Sequence, residues 1–226
     1  MTSDKLKKVM KINLWDELHE CLEKSRFDEA YSMISYDIKR GREVYPSPHD
    51  ICNAYKYVTP DKVKAVIIGQ DPYHNGIATG LAFGVKNYKT IPPSLRNIFK
   101  ELCDQYNHNV SQDDFDFSLE HWAKQGVMLL NTSLTVRKGG PGSHFEMWDF
   151  LIIPTLELIQ SQSPDAVYIM WGRHAQRYQY RISDDKVKLF AAHPAAESYK
   201  QDAGFYGNGH FVKVNEILKD KIDWFG

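Results

Sequence analysis

Apolar residues recur along this chain in two rhythms. Four short runs, at 63–69, 126–131, 166–171 and 187–192, are almost continuously aliphatic or aromatic. They are too short for helices, and unbroken hydrophobicity is what a strand covered on both faces requires. Between them the apolar spacing is helical. Residues 94–105 predict a helix opened by Pro92 and Pro93, and 148–160 predict one that Pro154 kinks or splits. Shorter helices are expected at 118–125 and 215–219. Upstream, 14–38 has helical spacing, and part of 49–57 reads as a second helical region after the YPSP turn. Strand–helix alternation of this kind predicts an α/β fold: one domain over residues 1–226, with a central four-stranded, mainly parallel twisted sheet flanked by helices. No linker, repeat or change of composition divides the 226 residues.

The residues at the end of each apolar run matter more than the runs themselves. VKAVIIG ends in Gln70, Asp71, Pro72, Tyr73 and His74; the second run ends at Asn131, the third leads into Gly172 and His174, and the fourth into His193 and Pro194. Parallel strands bring those exits to one edge of the sheet, which is where ligands bind in open α/β folds. Taken singly, each residue has a plain reading. Asp71 before Pro72 suits a turn, Asn131 a turn or cap, His193 a hydrogen-bonded structural histidine, and Phe83 the core. Gathered at one concave edge, they acquire others. A carboxylate can orient water or stabilise developing positive charge, and a neutral imidazole can donate to a leaving group. An amide can read the edge of a nucleobase, and an aromatic ring can stack on it. Tyr73, beside Asp71, would set a steric limit on what enters.

Composition narrows the classes around that pocket. Twenty-eight basic and 29 acidic side chains leave a net charge of −1, so the global footprint of a nucleic-acid binder is missing and any DNA contact must be local. Phosphates can also be held by backbone N–H groups and hydroxyls. No apolar run approaches the roughly 20 residues that span a bilayer, and the amino-terminal stretch lacks a secretory signal's apolar block, so an intracellular, cytoplasmic protein is expected. Cys21, Cys52 and Cys103 are widely spaced, which predicts reduced thiols. Asp71, His74, His144, His174 and His193 fit no compact ligand spacing, so a metal site is not expected from them.

Six blocks carry a resemblance: GQDPYH at 69–74, GLAF at 80–83, IPPSL at 91–95, GVMLLNTSLTV at 126–136, WGRHAQ at 171–176 and AHP at 192–194. In this order and spacing they resemble uracil-DNA glycosylase of family one, and similarity at 44–57 and 204–212 extends the match over most of the chain. The resemblance implies an enzyme of base-excision repair that flips uracil out of DNA and hydrolyses its N-glycosidic bond without a cofactor. It implies that Asp71 activates water and stabilises an oxocarbenium-like sugar. Tyr73 would exclude thymine's methyl group, Phe83 stack on uracil, Asn131 read its edge, and His193 stabilise the departing anion. Gln70 would add backbone contacts to uracil. Partners implied are uracil-containing DNA, single-stranded or duplex, and a proteinaceous inhibitor at the DNA-binding face. No membrane is implied, and a monomer is the default.

The segment after His193 departs from the family pattern. Where the family has a phosphate-binding Ser and an apolar Leu that fills the space left by the flipped base, this chain reads Pro194, Ala195, Ala196, Glu197, Ser198. A charged Glu197 is a poor plug for a base stack, so Tyr199 or a neighbour is expected to replace the Leu. Ser94, Ser198 and Gly172 are candidate contacts to the DNA backbone. Weakened duplex extrusion and a stronger preference for single strands are therefore expected. Two other classes stay open: a DNA-binding replication accessory or scaffold protein with impaired extrusion, and a metal-dependent hydrolase.

Overall fold

The computed structural model describes residues 15–19, 25–86 and 91–226. Its centre is a sheet of four parallel strands, β2 (Ala65–Gly69), β3 (Val127–Asn131), β5 (Val167–Trp171) and β6 (Lys188–Ala191), in the order β3-β2-β5-β6. All five residues of β2, β3 and β5 are buried, which accounts for their unbroken hydrophobicity. Strand β6 is an edge and is partly exposed, with Phe190 turned to solvent. The expected strands therefore form, and the sheet is wholly rather than mainly parallel. A small antiparallel pair, β1 (Val44–Tyr45) with β4 (Val136–Arg137), was not expected from the pattern; two-residue strands carry no periodicity to read.

Among the described residues the helices are α1 (Ser25–Lys39), α2 (Pro93–Tyr106), α3 (Glu120–Lys124), α4 (Asp149–Gln162), α5 (Arg173–Gln176) and α6 (His210–Ile217). Three expectations change. The helical region expected within 49–57 is reduced to a single 3₁₀ turn at Asn53–Tyr55, with turns before it. Local bonds compete there: Ser47 Oγ donates to Asp50 Oδ2, and Asn53 Nδ2 reaches the Thr79 carbonyl. Helix α4 is continuous through Pro154, because a proline in the second turn removes one hydrogen bond while Leu151, Ile152, Leu156 and Ile159 stay buried against the core. The last helix begins at His210 rather than 215, since Gln105 Oε1 on α2 accepts the Phe211 and Val212 N–H groups. At the amino-terminal side, a 3₁₀ turn at Asp16–Leu18 and α1 cover part of the expected 14–38 helix; the rest lies outside the described residues, as does Cys21. Cys52 is buried, Cys103 is half-buried, and both are free thiols.

All five tryptophans are buried, and each indole N–H has an acceptor. Trp171 at the end of β5 is the one nearest the chemistry: its ring meets Phe83 at 5.7 Å and Phe205 at 5.3 Å. No helix among the described residues is long and apolar enough to cross a membrane.

Candidate active site

Strand register sets the geometry. Gly69 pairs with Asn131 across β2 and β3, and Trp171 pairs with Ala191 across β5 and β6, so the chain leaves all four strands at one edge. Two glycines let the exits approach more closely than side chains would permit. A Cβ on Gly69 would lie 2.2 Å from Asn131 Oδ1, and one on Gly172 would lie 2.8 Å from His193 Cβ. Gly172 also has φ +89°, a conformation that L residues avoid. The Asn131 amide is thus seated against the backbone of β2, only 3 % exposed, with no hydrogen-bond partner for its side chain among the described residues. Its donor and acceptor are both free for a ligand at the concave edge.

His193 lies just past β6. Its Nδ1 accepts the Ala195 N–H at 3.2 Å, which leaves Nε2 to carry the ring proton in the neutral form. Burial lowers its pKa, favouring that neutral form. The site therefore holds a preset N–H donor. Phe83 lies 6.0 Å from the His193 ring, and its own φ is +66°. A left-handed phenylalanine is strained, and such strain persists only where the surroundings fix it. The Ala82 N–H donates to the Leu129 carbonyl at 3.0 Å, holding this loop to β3.

Asp71 is half-buried. Its Oδ2 accepts the Gly142 N–H at 2.6 Å, and Gln70 Nε2 lies 3.3 Å from Oδ1. Burial raises the Asp71 pKa, and the Gly142 bond opposes that rise. The Tyr73 hydroxyl meets Ser94 Oγ at 2.7 Å, and burial raises its pKa as well, so it is a neutral, fixed ring. Ser94 is buried, with its hydroxyl on Tyr73. The Gln70 carbonyl accepts from Thr132 Oγ1 at 3.0 Å and from the Ser133 N–H at 2.9 Å.

The expected pocket residues thus occupy one sheet edge, whereas Glu197, Ser198 and Tyr199 belong to a separate arm. Glu197 is no plug for a base stack: its carboxylate accepts the N–H groups of Phe205 at 2.7 Å, Tyr206 at 3.2 Å and Ala203 at 3.2 Å. Asn97 on α2 anchors the arm, donating to the Pro194 carbonyl at 2.8 Å and to Ser198 Oγ at 3.0 Å. Tyr199 remains 84 % exposed. Asn97, Gly142 and Thr132 were missed in the sequence. The Gly-rich run GGPGSH was the one legible sign of the Gly142 turn.

A model of the uracil DNA glycosylase superfamily matches residues 55–219. The chain belongs to that superfamily. It is 41 % identical over 218 residues to the uracil-DNA glycosylase of Azotobacter vinelandii, covering 93 % of this chain and 92 % of that protein. With the Bacillus subtilis uracil-DNA glycosylase it shares 38 % over 231 residues, covering 97 % and 98 %. Among solved structures, mimivirus uracil-DNA glycosylase superimposes with a TM-score of 0.84 at 25 % identity, over 97 % of this chain and 88 % of that one. A Y322L variant of the mimivirus protein, solved in complex with UGI, gives a TM-score of 0.81 at 25 % identity, over 97 % and 90 %.

Proposed function

We propose that this superfamily member is a uracil-DNA glycosylase, hydrolysing the N-glycosidic bond of uracil flipped out of DNA and so initiating base-excision repair. The observation that carries the reading is the preset His193 Nε2–H donor beside the ring of Phe83, at the sheet edge where the Asn131 amide stands unpartnered. As the sugar–base bond breaks, its electron pair leaves on uracil and positive charge grows on the sugar. Asp71 stabilises that charge and orients the water that adds to the sugar carbon, its proton passing to the carboxylate. His193 donates to the departing anion, Asn131 reads the uracil edge, and Phe83 stacks on its face. The Gln70 backbone completes the uracil contacts. Tyr73, held by Ser94, stands where thymine's methyl group would have to fit.

The arm takes the DNA strand. Tyr199 is its exposed aromatic and fills the space the flipped base vacates, while Ser198 and the close backbone at Gly172 meet the sugar–phosphate chain. With Ala195 offering no hydroxyl, we expect release from single strands to exceed release from duplex. The scaffold alternative rested on Glu197 at the wedge position, and the three backbone amides at its carboxylate remove that support. A mimivirus relative solved in complex with UGI supports a proteinaceous inhibitor among the partners of this chain.

The test is release of free base from oligonucleotides containing uracil, thymine or cytosine, in excess chelator, by the wild type and Tyr73→Ala. Uracil alone should be released by the wild type, with thymine release appearing in the variant. Chelator-sensitive or base-indifferent release would overturn the reading.

A further inference from the structure

Asp71 is held by the turn that contains Gly142, and behind that turn lies a buried polar cluster with no part in the scheme above. Its centre is Asp37, near the carboxyl end of α1 and 0 % exposed. Arg42 Nη1 donates to Oδ1 at 2.9 Å, Arg137 Nε donates to Oδ2, and His144 Nε2 lies 3.0 Å from Oδ2. Burial alone would raise this carboxyl, but those three hydrogen bonds hold its pKa at about 2. An ionised Asp37 only accepts, so His144 Nε2 carries the proton. Burial lowers the His144 pKa and favours the neutral ring, so its Nδ1, 2.8 Å from Thr135 Oγ1, accepts the threonine hydroxyl, and Thr135 Oγ1 in turn accepts the Trp148 indole N–H at 2.9 Å. One direction of donation runs through the whole chain, from Trp148 to Thr135 to His144 to Asp37.

The same turn is tied to the reacting loop. Gly139 N–H donates to the His74 carbonyl at 3.1 Å, Gly142 N–H to Asp71 Oδ2 at 2.6 Å, and Ser143 Oγ accepts the Arg137 N–H at 2.8 Å. Ser133 Oγ lies 2.9 Å from both the Thr135 and His144 carbonyls. Residues 139–144 are thus clasped between two carboxylates, one structural and one reactive. We propose that Asp37 is a positioning residue for base excision, acting through His144 to hold the Gly139–His144 turn so that the Gly142 N–H stays on Asp71. The inference rests on the glycosylase reading for its effect on rate. Asp37 stands far from the pocket in sequence and belongs to none of the motif blocks.

Asp37→Asn tests it, read by kinetics on a single-stranded uracil oligonucleotide and by the Gly142 amide resonance during a pH titration. The charged and titratable groups facing Asp71 and the cluster are His74, His144, Arg42 and Arg137. A small displacement of a reactive group is costly, so kcat should fall about tenfold or more while KM stays within about twofold. The Gly142 resonance should move and cease to follow Asp71 ionisation. Thr135→Val keeps every charge of the cluster and serves if Asp37→Asn does not fold; a fall of about threefold, with the same resonance change, is expected. An unchanged Gly142 titration and an unchanged kcat in either folded variant overturns the proposal. If the wild type releases no uracil, the glycosylase reading fails separately, while the Gly142 shift still reads the coupling.

Discussion

The pocket at the strand exits and the arm from Pro194 to Tyr206 border the same reaction and are built by opposite means. In the pocket, backbone dictates side chain: register aligns Gly69 with Asn131, and the missing Cβ atoms of Gly69 and Gly172 let Asn131 and His193 close in. In the arm, side chains dictate backbone. Glu197 gathers three amide N–H groups, and Asn97 ties the Pro194 carbonyl, Ser198 and the Tyr206 hydroxyl to α2. A backbone-built pocket tolerates little change, whereas an arm held by a few side-chain bonds can exchange its tip.

The comparison breaks first at the reacting groups. Asp71→Asn and His193→Ala should each lower uracil release by roughly 10² to 10³ or more, the scale of losing one aligned electrostatic group, on single strands and duplex alike. Asp71→Asn should melt no lower than the wild type. The raised Asp71 pKa means that the folded state binds a proton more tightly than the unfolded chain, so ionised Asp71 costs stability at neutral pH. The same direction puts the acid limb of kcat above the ordinary carboxylate value, and a pH–rate profile checks it. Gly172→Ala comes next: its strained φ and the contact with His193 should cost about 1–3 kcal/mol in a denaturant midpoint and lower the rate on both substrates. Tyr199→Ala should lower duplex release about tenfold, the value of one stacking contact, and leave single-strand release close to wild type. Glu197→Ala is the mildest. It frees three N–H groups to solvent for about 1 kcal/mol and lowers duplex release alone, seen by comparing the two substrates.

Much of the pocket was legible because it obeys two local rules, continuous apolar runs and polar residues at their ends. Asp71, Asn131, Gly172 and His193 could be read as neighbours from strand parallelism alone. What could not be read are the bonds between distant positions. Gln105 starts α6 from 106 residues away, and Asn97 reaches Ser198 across 101. Asp37 meets His144 across 107. None of these leaves a periodic trace in the sequence. Glu197 was legible as a poor plug but not as an anchor: its charge was visible, whereas the amides that satisfy it belong to a turn formed six to nine residues later.

The most direct test of this division is single-turnover uracil release from matched single-stranded and duplex oligonucleotides by the wild type, Asp71→Asn and Tyr199→Ala. The account predicts that Asp71→Asn slows release from both by roughly 10² to 10³ or more, and that Tyr199→Ala spares the single strand while slowing the duplex. Equal slowing of both substrates by Tyr199→Ala, or near-normal release by Asp71→Asn, would contradict it.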